Sequence, residues 1–185
     1  MYAIIALFDE ETHQQVIRIW NELADLRISH YAKEIENRQP HITLASYDKL
    51  EEISFIERMD MCYQATQRIP ITLCTIGTFI SSGALFWAPA PTKELLDFHE
   101  RHHDLLSGFA AEGPSLYEPG CWVPHCTIAN RLTADKLAEA VLYCTNKLPV
   151  QNAFLTKLAL IRTEKANGKI VAAPIIQEWS LKERA

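Results

Sequence analysis

The hexapeptide PHITLA at residues 40–45 returns as PHCTIA at residues 124–129 in a chain of 185 residues. Two copies of proline, histidine, threonine and alanine in one order and spacing require two backbones of the same local shape. Both copies suit a β-strand, in which successive side chains point to opposite faces. His41, Thr43 and Ala45 then share one face and Ile42 and Leu44 the other, while His125, Thr127 and Ala129 oppose Cys126 and Ile128. The apolar face is assigned to a core. The other face carries an imidazole and a hydroxyl about 6.5 Å apart, two strand residues at roughly 3.3 Å each. Pro40 and Pro124 restrict the backbone ahead of each strand and remove a donor there.

The flanks repeat as well. Tyr2–Phe8 reads as a buried strand and Asp9 to about Leu26 as a helix, with Val16, Ile19, Trp20 and Leu23 at spacings of three and four. The first motif strand follows, then a helix from Asp48 to about Gln67 and a strand over Ile69–Ile80 that ends at the turn Ser81-Ser82-Gly83. The second half gives strand Ala84–Ala88, helix Pro91 to about Phe109, the second motif strand, helix Thr133 to about Lys147 and strand Ala153–Arg162. A last strand from Lys169 to about Ser180 returns through Asn167-Gly168, a pair suited to a tight hairpin turn. Each half is strand, helix, motif strand, helix, strand. The expected organisation is one domain, residues 1–185, with two pseudo-symmetric lobes from repeats of about 1–83 and 84–185.

Composition narrows the partners. A net charge of -5 argues against an extended nucleic-acid surface, which needs many lysines and arginines to neutralise phosphates. A site for a single phosphate remains compatible with it. No apolar run approaches the roughly 20 residues that span a bilayer, and Tyr2–Phe8 has neither a basic region before it nor a cleavage site after it. The expected location is the cytoplasm, without membrane partners. Five cysteines without a CxxC pair read as buried, reduced thiols rather than as a disulfide framework or a zinc site.

Two imidazoles and two hydroxyls facing one cleft form a specific chemical set. Histidine has an ordinary pKa of about 6.5, so a facing pair can supply a base and an acid near neutral pH. Threonine hydroxyls can donate to the non-bridging oxygens of a phosphoryl group as charge builds there. Cleavage of a phosphodiester needs these functions together.

The paired H-x-T-hydrophobic motifs, set in two βαβαβ halves, with Trp122 just ahead of the second, resemble those of the 2H phosphoesterase superfamily. That superfamily includes the 2'-5' RNA ligase/RNA 2',3'-cyclic phosphodiesterase family. The resemblance implies a bilobal, LigT-like α+β fold in which two antiparallel sheets flank a central cleft. It also implies hydrolysis of a cyclic phosphodiester without metal or other cofactor, the substrate being the 2',3'-cyclic phosphate of a nucleotide or RNA end and the product commonly a 2'-phosphate. His41 and His125 would then be acid and base, and Thr43 and Thr127 the phosphate ligands. The basic residue nearest the first motif is Arg38, whose direction the sequence does not fix.

Two other readings compete. A cleft of this kind could capture phosphorylated nucleotides or RNA ends without turnover. Alternatively, His99-Glu100-Arg101-His102-His103 matches HExxH, with His99 and His103 as zinc ligands and Glu100 as base. The same helix also reads without metal: Leu95, Phe98, His102, Leu105 and Phe109 form an apolar stripe that leaves His99 and His103 at its margin. Tyr47 and Arg131, six residues beyond their histidines, continue the cleft-facing parity and are candidate substrate-binding residues, as is Trp122. Phe8, Phe86 and Trp87 read as core before stacking platform.

Overall fold

A computed structural model describes residues 1–80, 82–109, 113 and 115–184. The first half supplies β1 (Tyr2–Phe8), α1 (Glu10–Asp25), β2 (His41–Tyr47), α2 (Glu52–Tyr63) and β3 (Ile69–Phe79). The second repeats the order as β4 (Ala84–Pro89), α3 (Lys93–Leu105), β5 (Cys126–Ala129), α4 (Ala134–Lys147) and β6 (Gln151–Arg162). The chain continues as β7 (Glu164–Ala166), β8 (Lys169–Ala172) and β9 (Ile175–Ser180). In the turn expected between β3 and β4, Ser81 lies outside the described residues.

Local chemistry sets the helix ends. Asp9 caps α1 by accepting the Thr12 N–H at 2.9 Å, and Val16, Ile19, Trp20 and Leu23 are buried on the expected face. The second helix is shorter than expected from the sequence: Glu51 starts it, its carboxylate accepting from Ser54 N at 2.8 Å. Such a cap stabilises a helix by about 1 kcal/mol. The expected strand from Lys169 to Ser180 is in fact two. β8 pairs with β7 across Asn167-Gly168, whose φ values of 51° and 76° are those a two-residue type I′ hairpin needs. Ala173 then donates its N–H to Glu36 O and Pro174 has none to give, so the ladder breaks before β9.

All the strand pairs are antiparallel, in the order β2-β1-β6-β3-β4-β5, with β9 also on β6. β3 takes Gln151–Leu155 of β6 and β9 takes Lys157–Ile161. Because these are successive stretches of one edge, the ladder divides into two sheets, β2-β1-β6-β9 and β5-β4-β3-β6. The closing strand of each sequence half joins the sheet of the other. The helices cross over too: α1 packs on β1 and reaches β5, while α3 packs on β3 and reaches β2.

The main core draws on both sheets and all four α-helices, with Ile4, Leu23, Leu44, Phe55, Leu85, Trp87 and Leu155 almost fully buried. Each such side chain contributes about 1.5–3 kcal/mol by leaving water. Phe8 and Phe86 are buried as well. A smaller cluster of Ala3, Ile5, Leu7, Ala159 and Ile161 occupies the opposite face of β1 and β6. All five cysteines are free thiols, but Cys74 and Cys121 are exposed, against expectation. Cys74 is the extra residue of a bulge in β3, since Leu73 pairs with Pro89 and Thr75 with Ala88, and a bulge breaks the alternation that predicted burial. Among the described residues no helix is long and apolar enough to cross a membrane.

Candidate active site

The two motif strands are the outermost of their sheets and approach one another. Burial is identical along both hexapeptides: proline buried, histidine half-buried, next residue buried, threonine half-buried, and the last two buried. Two buried neighbours in a row reflect a bulge. Ile4 pairs with Ala45 and Ile5 with Thr43, so Leu44 is an extra residue; Leu85 pairs with Ala129 and Phe86 with Thr127, so Ile128 is its counterpart. Each bulge reverses the facing of the strand residues beyond it. Ala45 and Tyr47 therefore join the core. Tyr47 is 5% exposed and packs edge-on against Phe55, so it does not continue the cleft-facing row that strict alternation predicted.

Directly paired residues share a face, which defines the floor beneath each motif. His41 and Thr43 stand opposite Leu7 and Ile5 of the small aliphatic cluster. Thr127 stands opposite Phe86, and the His125 ring lies 5.3 Å from Phe86 and 4.8 Å from Phe79. Phe86 crosses β3 at Gly77, where a Cβ would fall 2.4 Å from the Phe86 ring.

Both histidines are held alike. His41 Nδ1–H donates to Gln39 O at 2.6 Å and His125 Nδ1–H to Val123 O at 2.7 Å. A carbonyl can only accept, so the proton is fixed on Nδ1 and Nε2 is left as the titrating nitrogen. Burial pushes the His41 pKa down to about 4, the charges of Arg38 and His125 act in the same direction, and the Gln39 carbonyl opposes them. Burial also lowers the His125 pKa, against the Val123 carbonyl.

Each threonine is supported from the opposite half of the chain. Trp122 Nε1–H donates to Thr43 O at 2.8 Å, and Trp20 Nε1–H to Thr127 O at 3.2 Å. Burial raises the pKa of Tyr117 while the Thr43 hydroxyl beside it pulls the other way. Tyr31 stands in the same relation to Thr127: burial raises its pKa, and Arg38 and the Thr127 hydroxyl lower it. Tyr31, Tyr117 and Trp20 were not candidates from sequence. Tyr31 opens a short 3-10 turn (Tyr31–Glu34) and Tyr117 lies in a loop, at unequal distances from their motifs, and Trp20 carried only the signal of a helix core position.

Trp122 is a support rather than an open platform: it is 8% exposed, its N–H is engaged, and its ring stacks on His99 at 3.8 Å and 2°. Arg131 lies past the end of β5 with φ 58° and approaches Glu34 at 3.8 Å. His99 is not at the margin of α3 but buried with His102. His99 Nε2–H and His103 Nε2–H both donate to Leu44 O, each at 3.1 Å. That carbonyl belongs to the bulge residue, which a bulge leaves without a ladder partner, and an unsatisfied buried carbonyl costs about 1–3 kcal/mol. Glu100 is exposed on another face. The HExxH histidines thus hold the backbone of the first motif, and among the described residues no group of three His, Cys, Asp or Glu is arranged to hold a metal ion.

Comparison with known proteins places this geometry in a family. The structure superposes on TT0787 of Thermus thermophilus with a TM-score of 0.66 at 15% identity, over 100% of this chain and 99% of the other. It matches E. coli LigT complexed with 3'-AMP with a TM-score of 0.63 at 13% identity, over 97% and 96%. A crystal structure described as a phosphoesterase gives a TM-score of 0.62 at 14% identity, over 97% of each chain. At identities this low the superpositions show a shared LigT-like α+β fold alone. No curated protein sequence matches the chain. The model of the 2'-5' RNA ligase superfamily, however, matches residues 16–167, which takes in both motifs and the indole and tyrosine supports around them, and the chain belongs to that 2H phosphoesterase superfamily.

Proposed function

We propose that the protein is a phosphoesterase that opens a cyclic phosphodiester, the 2',3'-cyclic phosphate of a nucleotide or RNA end, to a 2'-phosphate. The observation that carries this reading is the matched pair of imidazoles, each with Nδ1–H tied to the carbonyl two residues upstream and Nε2 left to exchange a proton. One Nε2 takes a proton from water as its oxygen attacks phosphorus. The other gives a proton to the 3' oxygen as the P–O3' bond breaks. Thr43 and Thr127 donate to the two non-bridging oxygens. Burial holds both histidines below their ordinary pKa, and the negative phosphoryl group raises them on binding, which charges the acid when it is needed. E. coli LigT has been crystallised with 3'-AMP and with phosphate, and ligands of that kind suit a cleft lined by these donors.

The test is turnover of a nucleoside 2',3'-cyclic phosphate in excess EDTA, with 2'- and 3'-phosphate products resolved, by the wild type, His41→Ala and His125→Ala. Chelator-resistant formation of 2'-phosphate, lost in both variants, is the expected result. Saturable nucleotide binding without product would identify a binding protein instead.

A further inference from the structure

Besides the unlike floors and the α3 brace on Leu44, the pseudo-twofold symmetry of the site is broken at a pair of equivalent positions, each three residues ahead of a motif histidine. The second motif has Trp122 there and the first has Arg38. Trp122 supports the Thr43 carbonyl, but the matching support of the Thr127 carbonyl comes from Trp20 on α1. The position of Arg38 is thereby released from that structural duty. Its guanidinium lies 3.9 Å over the Tyr31 ring and donates from Nη1 to the Tyr31 hydroxyl oxygen. Tyr31 in turn neighbours the Thr127 hydroxyl. Among the described residues Arg38 has no carboxylate partner, and its buried Nε has no hydrogen-bond partner. A half-buried cation without a counter-ion is unfavourable by itself, and Arg131 nearby adds to the positive potential.

We propose that Arg38 is the positioning residue that makes the two halves of the site unequal in charge, holding the relay Arg38–Tyr31–Thr127 and placing an uncompensated positive charge on the His41 side of the cleft for a phosphoryl anion. The donor order follows from the groups themselves. Arginine can only donate, so the Tyr31 oxygen accepts from Nη1 and its own O–H is free to donate to Thr127 Oγ1. The Thr127 hydroxyl hydrogen is then left to point at the ligand. Thr43 has Tyr117 beside it on the other side, with tryptophan, not arginine, at the equivalent position. The charge of Arg38 also disfavours an imidazolium at His41, and so leaves the protonated role to His125; the charged groups that reach His41 are Arg38 and His125.

The catalytic part of this inference rests on the phosphoesterase reading, and one experiment separates the two. Inorganic phosphate is titrated into the wild type, Arg38→Met, Arg38→Lys and Tyr31→Phe by calorimetry, and the pH profile of kcat/KM is measured for each with a nucleoside 2',3'-cyclic phosphate. Methionine keeps the stack on Tyr31 without the charge. It is expected to weaken phosphate binding about tenfold or more, the effect of losing an ionic hydrogen-bonding partner, and to move the low-pH limb of the profile upward. Lysine is expected to restore part of the affinity, and Tyr31→Phe to lower affinity less than Arg38→Met with the limb unmoved. A wild type that binds phosphate but turns over no cyclic phosphate removes the catalytic reading, while the affinity of Arg38→Met still decides this one. Unchanged phosphate affinity in a folded Arg38→Met, or no phosphate binding by the wild type, overturns it.

Discussion

Thr43 and Thr127 are each constrained from three directions: an indole N–H on the carbonyl, a tyrosine hydroxyl beside the side chain, and a bulge at the next residue. Replacing either hydroxyl by a methyl leaves the carbonyl contact and the bulge intact. Thr43→Val and Thr127→Val are therefore expected to keep the fold and to lose about 2–3 kcal/mol of transition-state stabilisation each, roughly 30- to 150-fold in kcat. Single-turnover rates beside thermal unfolding of the same samples check this. Unchanged rates in both variants would remove the hydroxyls from the proposed mechanism. The residues that the motif itself names were legible because a strand's period of two is rigid enough to put histidine and threonine on one face. Tyr31, Tyr117 and Arg38 were not, since they become partners of the motif only through contacts that cross between the halves.

At the level of elements, one packing contact ties β3 and β4 to the second histidine. Gly77 lets the Phe86 ring lie across β3, and that ring together with Phe79 borders His125. A Cβ at residue 77 would overlap the ring and force it to move. Gly77→Ala is expected to destabilise the protein by about 1–3 kcal/mol, the usual cost of overpacking, and to slow turnover by displacing the wall beside His125. Adding Phe86→Leu should recover much of the stability, which thermal unfolding of the single and double variants would register; an equal loss in both would mean that the contact is not the cause. Most helix positions, His99 on α3 excepted, and most strand positions were readable from apolar spacing alone. The failures came where register matters. The bulges at Leu44 and Ile128 depend on the neighbouring strand, so the inward turn of Tyr47 and the unpaired Leu44 carbonyl that α3 satisfies were invisible in the local pattern. Pro174 was a legible warning that the last strand should divide.

For the molecule as a whole, buried neutral histidines couple folding to pH. Burial lowers His41 and His99 to about 4 and His102 to about 3. In the unfolded chain the same groups titrate near 6.5, so between these values the unfolded state binds more protons and stability rises with pH. The loss begins as pH falls through about 6.5 and is complete below about 4 for His41 and His99 and about 3 for His102, at up to about 1.4 kcal/mol per pH unit for each histidine. Thermal midpoints measured from pH 7 to pH 4 should fall steadily, and His102→Leu should flatten part of that slope. A midpoint independent of pH across this range would mean that the histidines are not held neutral by burial.

β6 is one uninterrupted strand that belongs to both sheets, pairing with β3 over its first residues and with β1 and β9 beyond them. Parting the lobes would break ladder hydrogen bonds along it, so a hinge between the two sheets is opposed by the backbone itself. The two motif strands are thus carried on one continuous frame. Discrimination between candidate substrates then draws on fit and charge within that frame.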